Sequence, residues 1–265
     1  MPVADPAFGW QEVTAAFAII SMVAFLVTWI VTDVGHVSRT PYVAILSLTT
    51  VALSAGYLAW SGTSLVQLVT AGWAWGILGG LVAAAVVVPL VRRLPSAHRP
   101  AGSELVVRFL WEGIVYGAAE GILLATLPVL AVWQAANAIG WTKAGSLKVA
   151  ASGALAVVGA LFVILVHHLG YREFRSSATR KKLAGALVGC GIQALAFLLT
   201  GSVLAPIVAH IALHWELTLR GNEMPPVSES ELEAGWPERP EYPVMGRGGR
   251  PNVPQSVGTP GSSPP

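Results

Sequence analysis

GSVLAPIVAHIALHW, residues 201–215, sets His210 and His214 four positions apart in a run that is otherwise almost entirely apolar. Residues four apart on a helix are neighbours on one face, so the stretch reads as a helix carrying two imidazoles through oily surroundings. Composition identifies those surroundings. Of the 265 residues, 54% are hydrophobic and 11% charged, against ~25% charged in soluble domains. The charges fall in short patches between long uncharged spans, which is the pattern of a polytopic membrane protein. The expected fold class is therefore an all-α polytopic membrane protein.

Apolar runs of about 20 residues predict seven transmembrane helices, near 12–32, 41–60, 65–91, 107–135, 147–169, 183–200 and 202–219. The third and fourth are longer than a bilayer requires, so they are expected to tilt, kink or run past the lipid. The first span follows MPVADPAFGWQE, which lacks the basic start of a signal peptide. These spans define a transmembrane domain over 1–220. Residues 221–265 are rich in Pro, Gly and Ser and poor in aliphatics, so they read as a disordered cytoplasmic tail.

Basic residues on short loops set orientation. One set of alternate loops carries Arg39, then Arg92, Arg93 and Arg99, then Arg172, Arg175, Arg180, Lys181 and Lys182, while the other carries Lys143 and Lys148. The expectation is an N-terminus outside and a C-terminus in the cytoplasm. A net charge of +2 argues against a nucleic-acid partner, and Cys190, the sole cysteine, excludes an intrachain disulfide.

An ionisable side chain at mid-membrane costs ~2.5–3.5 kcal/mol on insertion scales and usually marks function. The candidates are Glu112 and Glu120 in the fourth span, His167 and His168 at the end of the fifth, and His210, His214 and Glu216 in the seventh. At ~1.5 Å rise per residue from Arg108, Arg172 and Arg220, Glu112 lies roughly 6 Å deep, His167 and His168 roughly 6–8 Å, His214 about 9 Å and His210 about 15 Å. Glu120 comes out near 18 Å. Three helices thus bring polar groups into the cytoplasmic half, and Glu112, His167 or His168, and His210 are expected to converge on one cavity there.

A carboxylate can take a proton from water while one imidazole orients that water and another stabilises an oxyanion. That is amide hydrolysis without a covalent nucleophile. The same side chains could instead hold a divalent metal ion with an open position for water.

The segment TGSVLAPIVAHIALHW resembles the last motif of the CPBP intramembrane protease family, which includes the type II CAAX prenyl endopeptidases. There a helix begun by small residues and proline (here Gly201, Ser202, Ala205 and Pro206) carries a His followed four positions later by Asn or another polar residue. GALFVILVHHLG resembles the preceding Phe and His motif, and FLWEGIVYGAAEG occupies the place of a Glu pair followed by Arg. Gly113 stands at the second Glu position, Gly117 at the arginine position and His214 at the Asn position, and Phe162 lies five rather than four residues before His167.

The resemblance implies a bacterial cell-membrane protease-like bundle. In it Glu112 is the base, His167 its partner, His210 the oxyanion donor and His214 the replacement for Asn, with His168 and Glu120 as secondary candidates. Glu120, about 80° around the helix from Glu112, reads as a poor substitute. The implied partners are membrane lipids and a membrane-associated peptide or protein substrate. The degenerate Glu motif leaves a catalytically impaired relative open, as well as a non-enzymatic protein that binds a partner in the same cavity. A third alternative is a bis-histidine haem protein, with His167 or His168 opposing His210 or His214. GWAWGILGG, residues 72–80, is expected to serve close helix packing, and the ten tryptophans interfacial anchoring or tail contacts.

Overall fold

The computed structural model describes residues 9–93, 96, 99–175 and 180–221. The expected tail, 221–265, lies outside the described residues apart from Gly221. Among the described residues all regular structure is helical. The helices are α1 (Trp10–Thr28), α2 (Arg39–Ser61), α3 (Leu65–Thr70), α4 (Trp73–Arg92), α5 (Gly102–Arg108), α6 (Gly117–Glu120), α7 (Leu127–Ala138), α8 (Ser146–Gly170), α9 (Arg180–Thr200) and α10 (Leu204–Arg220). The chain is an all-α integral membrane protein. Its outward faces carry Leu48, Val51, Leu81, Leu155, Val158 and Leu199, all largely exposed, while Glu112, Glu120, His167, His168, His210 and His214 are buried.

Six stretches among the described residues are long and apolar enough to cross a membrane: 10–34, 39–61, 73–92, 102–138, 146–170 and 183–200. The seventh expected span is α10, at 17 residues. At ~1.5 Å per residue it measures roughly 26 Å, slightly short of the hydrocarbon core.

The two overlong spans resolve by different devices. The stretch expected at 65–91 breaks at Gly72, whose φ of +66° is a left-handed turn that suits glycine; α3 ends before it and α4 starts after it. The fourth span stays continuous through 37 residues but contains two π-helical segments, Phe109–Tyr116 and Gly121–Thr126. A π turn closes through i→i+5 bonds, so its wider coil uses more residues for a given depth. Pro128 explains the second segment, because it has no N–H to donate and its ring collides with the preceding turn. The Thr126 hydroxyl donates to the Gly121 carbonyl at 3.1 Å within that segment.

Glycines decide how near these helices come. α4 lies parallel to α10. A Cβ on Gly76 would overlap Ser202, and one on Gly80 would sit 2.7 Å from the Ala205 carbonyl oxygen. The expectation that 72–80 supplies close packing therefore holds. At their C-terminal ends Arg92 closes the pair with a two-pronged contact to Glu216, 3.1 and 3.2 Å. Because Arg92 is 63% exposed, Arg92→Ala should cost no more than ~1 kcal/mol of stability in a denaturation experiment.

The fourth span approaches α10 from another side through Gly113, Gly117 and Gly121. A Cβ at Gly113 would overlap the Trp215 indole, at Gly117 it would lie 3.1 Å from the backbone of Ile211, and at Gly121 2.9 Å from the Pro206 carbonyl oxygen. Small residues every fourth position form the flat face that permits such contact.

Candidate functional site

α1, α8, the fourth span and α10 meet around Glu120. The carboxylate is held from two sides: His214 Nε2 lies 2.8 Å from Oε2, a hydrogen bond, and His167 Nε2 lies 3.4 Å from Oε1. His167 is 0% exposed, His214 6% and Glu120 7%. A carboxylate oxygen can only accept unless protonated, so the 2.8 Å contact carries a hydrogen on either His214 Nε2 or Glu120. Removing such a carboxylate from water is costly, and the His214 hydrogen bond on one oxygen with the His167 ring close to the other offsets part of that cost.

Local sequence places each member. Thr28 donates back to the Ala24 carbonyl at 3.1 Å and Thr32 to the Thr28 carbonyl at 2.7 Å, a pattern that bends helices, and α1 passes into a π segment there. His167 Nδ1 comes to rest 3.0 Å from Thr28 Oγ1 and 3.2 Å from the Ala24 carbonyl oxygen. Gly170, one turn further along α8, permits that closeness, since a Cβ on it would stand 2.8 Å from Thr28 Cβ. α10 starts after Gly201, at φ +67°, and Pro206 sits in its first turn, where a missing N–H breaks no intrahelical bond. From that start His210 and His214 face the fourth span, their rings stacked at 6.1 Å.

Behind His167 runs a series of hydroxyls. Thr28 Oγ1 lies 3.3 Å from the Tyr42 hydroxyl, which lies 2.7 Å from that of Tyr171, which lies 3.0 Å from that of Tyr116. Tyr171 stands just beyond α8, and burial holds its hydroxyl well above the ordinary tyrosine pKa, with the Tyr42 and Glu120 charges adding to the effect. It therefore stays protonated and able to donate. The Tyr116 ring meets His214 edge-on at 4.7 Å and carries the Arg39 guanidinium at 4.9 Å from its centroid.

Glu112 departs from its expected place. Its Oε2 is 3.0 Å from Arg39 Nε, at the end of the bundle where Asp33 pairs with Arg175 and Arg92 with Glu216. The carboxylate among the imidazoles is Glu120. The π segment Phe109–Tyr116, between Arg108 and Glu120, changes the rise and rotation from those of an α-helix, and the Glu120 carboxylate reaches His167 of α8 and His214 of α10.

The histidines divide as well. His167 and His214 contact the carboxylate. His210 is 0% exposed and puts Nε2 3.7 Å from Cys190 Sγ. His168 turns aside, its Nδ1 2.8 Å from the Ile164 carbonyl oxygen and its ring edge-on to Phe174 at 5.1 Å.

Among the described residues no group of three His, Cys, Asp or Glu side chains has the geometry to hold a metal ion. His214 hydrogen-bonds the carboxylate and His167 lies in ion-pair contact with it, so the two imidazoles point at Glu120 itself instead of converging beside it. A haem between His167 and His214 would need its iron where Glu120 stands.

Thr28, Tyr42, Tyr116, Tyr171 and Arg39 were not among the site residues expected from the sequence. The first four are uncharged, so hydropathy barely registers them, and Arg39 passes for a boundary residue. The available signal was Thr28 and Tyr42 lying near the same ends of adjoining spans as the histidines.

Compared with family models, curated proteins and solved structures, the chain matches none. Fold and site define an all-α integral membrane protein with a buried carboxylate clasped by two imidazoles.

Proposed function

We propose that the chain is an intramembrane hydrolase that cleaves peptide bonds within or beside the bilayer. The reading is similar to the CPBP proteases in its chemistry but has Glu120, not Glu112, as the water-activating base. The observation that carries it is the contact of both Glu120 oxygens with imidazoles from two other helices, at 2.8 and 3.4 Å. Packing alone does not call for an ionisable triad where each member is expensive. In this scheme Glu120 takes the proton of an attacking water, His167 and His214 orient the carboxylate and bear part of its charge, and His210 donates to the oxyanion of the tetrahedral intermediate.

The test is hydrolysis of membrane-proximal peptides by the protein purified into lipid bilayers, compared with His210→Ala. Loss of one oxyanion donor should lower turnover ~10²–10³-fold. Equal background from both proteins would end the proposal. It would leave the second reading, a non-enzymatic bundle that binds a partner through the same polar site, which draws on how little of that site is exposed.

The proposed location is a bacterial cell membrane, with seven spans, the N-terminus outside and the C-terminus cytoplasmic. The alternation of basic loops supports this, as does the parallel run of α4 and α10, which puts Arg92 and Arg220 on one side. Reporter fusions at residues 62 and 176 should lie on opposite faces of the membrane. The same face for both would break the topology.

A further inference from the structure

We propose that Tyr171, Tyr42 and Thr28 form a proton relay that connects the Glu120 cluster, through His167, with the charged end of the bundle. The proposal rests on Glu120 being the ionisable centre of the site, and it is tested without any substrate.

The site needs such a route. Its members are almost closed to the exterior, and the surrounding spans are apolar, so a proton on Glu120 has no water path through the lipid-facing sides. Among the described residues one series of exchangeable groups leaves it, hydrogen-bonded from His167 Nδ1 onward and joined to Glu120 by an ion-pair contact. From Glu120 the steps are 3.4 Å to His167 Nε2, 3.0 Å from His167 Nδ1 to Thr28, 3.3 Å to Tyr42, 2.7 Å to Tyr171 and 3.0 Å to Tyr116. Tyr116 lies under Arg39, which pairs with Glu112. Each hydroxyl both donates and accepts, and an imidazole can accept at one nitrogen while releasing at the other.

The balance is simple. A proton arriving at the Tyr116–Tyr171 end binds an oxygen, which passes its own hydrogen to the next. Thr28 turns its hydrogen from the Ala24 carbonyl to Nδ1 of His167, and Nε2 releases one to Glu120. One proton enters and one reaches the carboxylate. Rotation of the hydroxyls and a change of His167 tautomer reset the series. The step at 3.4 Å is the longest and sets where transfer is slowest.

Other titratable groups face this pair. His214 bonds Glu120 from α10, with His210 stacked on it and Cys190 beyond, and His168 stands beside His167 on α8. From α2, Arg39 reaches Tyr116. Among the described residues, the series of contacts that leads away from Glu120 along hydroxyls runs through Thr28.

The experiment measures exchange of the His167 ring hydrogens with D2O, by NMR of the full chain labelled with 15N-histidine in lipid nanodiscs. The His167 signals are identified by their absence in His167→Asn. Tyr42→Phe and Tyr171→Phe each remove one hydroxyl and little volume, and should slow exchange by at least ~10-fold. Thr28→Val should do the same, and Thr28→Ser should keep the native rate. Tyr57→Phe is the control, because Tyr57 is a buried tyrosine whose hydroxyl bonds Gln134 in a separate cluster; its rate should be unchanged.

Native exchange rates in Tyr42→Phe and Tyr171→Phe would overturn the relay. So would a general acceleration that includes His210, since exchange would then follow opening of the bundle. Slowed exchange in a protein that hydrolyses no peptide would leave the relay standing and remove the hydrolase. Hydrolysis with unaltered exchange would do the reverse.

Discussion

Glu120→Gln should abolish peptide hydrolysis in the bilayer-embedded protein, with a fall in turnover of ~10²–10⁴-fold or more, the range of a lost general base. The substitution keeps the shape and volume of the side chain. It removes the negative charge and the capacity to take a proton, and it turns one of the oxygens that meet His167 and His214 into a donor. Glu112→Gln is the paired measurement. Glu112 binds Arg39 with both side chains mostly buried, so its loss should lower stability by ~1–3 kcal/mol and spare turnover. A dead Glu112→Gln with an active Glu120→Gln would return the base to the residue that the motif position suggests. His214→Asn adds a third point. Asn is the residue the family motif carries, but it is shorter than His and cannot span the 2.8 Å contact with Glu120, so turnover should drop at least ~10-fold.

The span pattern and the interior helix with paired histidines were legible in the sequence, because each depends on hydropathy and on 3.6-residue periodicity. The place of Glu120 between the imidazoles was not, although Glu120 stood among the candidates, and the reason is local. Counting at a fixed rise and angle works along α8 and α10, but it fails across Phe109–Tyr116 and Gly121–Thr126, where the coil widens. The rise and angle from Arg108 to Glu120 therefore depart from the α-helical count, while Glu120 faces the interior as its cost in lipid requires. Pro128 was the visible warning for the second π segment. The first has no such marker in its residues.

The hydroxyl series was hidden for a different cause. Thr28, Tyr42 and Tyr171 cost little to bury, so nothing in composition asks what they are paired with, whereas Glu and His raise that question by their charge. The short helix α3 was hidden because a single glycine, Gly72, interrupts an otherwise apolar run.

Gly113 and Gly117 show how one observation changes its meaning once helices are packed. As positions in a motif they are an absent Glu and an absent Arg. As positions in the bundle they are the surface on which α10 lies, and this yields the prediction with the largest effect on folding. Gly117→Arg, which restores the motif residue, should prevent the protein from folding. Even the first side-chain atom would stand 3.1 Å from the Ile211 backbone, which cannot rotate away as a side chain could. Gly121→Ala meets the Pro206 carbonyl oxygen at 2.9 Å and should cost ~1–3 kcal/mol or more, the scale of overpacking a filled interior.

Gly113→Ala tests the softer contact. It presses on the Trp215 indole, whose Nε1 donates to the Phe109 carbonyl at 3.1 Å, so the indole must give up that bond to make room. Gly56→Ala is the control on α2, where an added Cβ meets nothing within 4 Å; there the gain in helix propensity should stabilise by up to ~1 kcal/mol. Thermal unfolding in detergent, followed by helical signal and by monodispersity, reads all four. A Gly117→Arg protein as stable as the parent would mean that the fourth span and α10 do not touch, and Glu120 would lose its contact with His214 along with them.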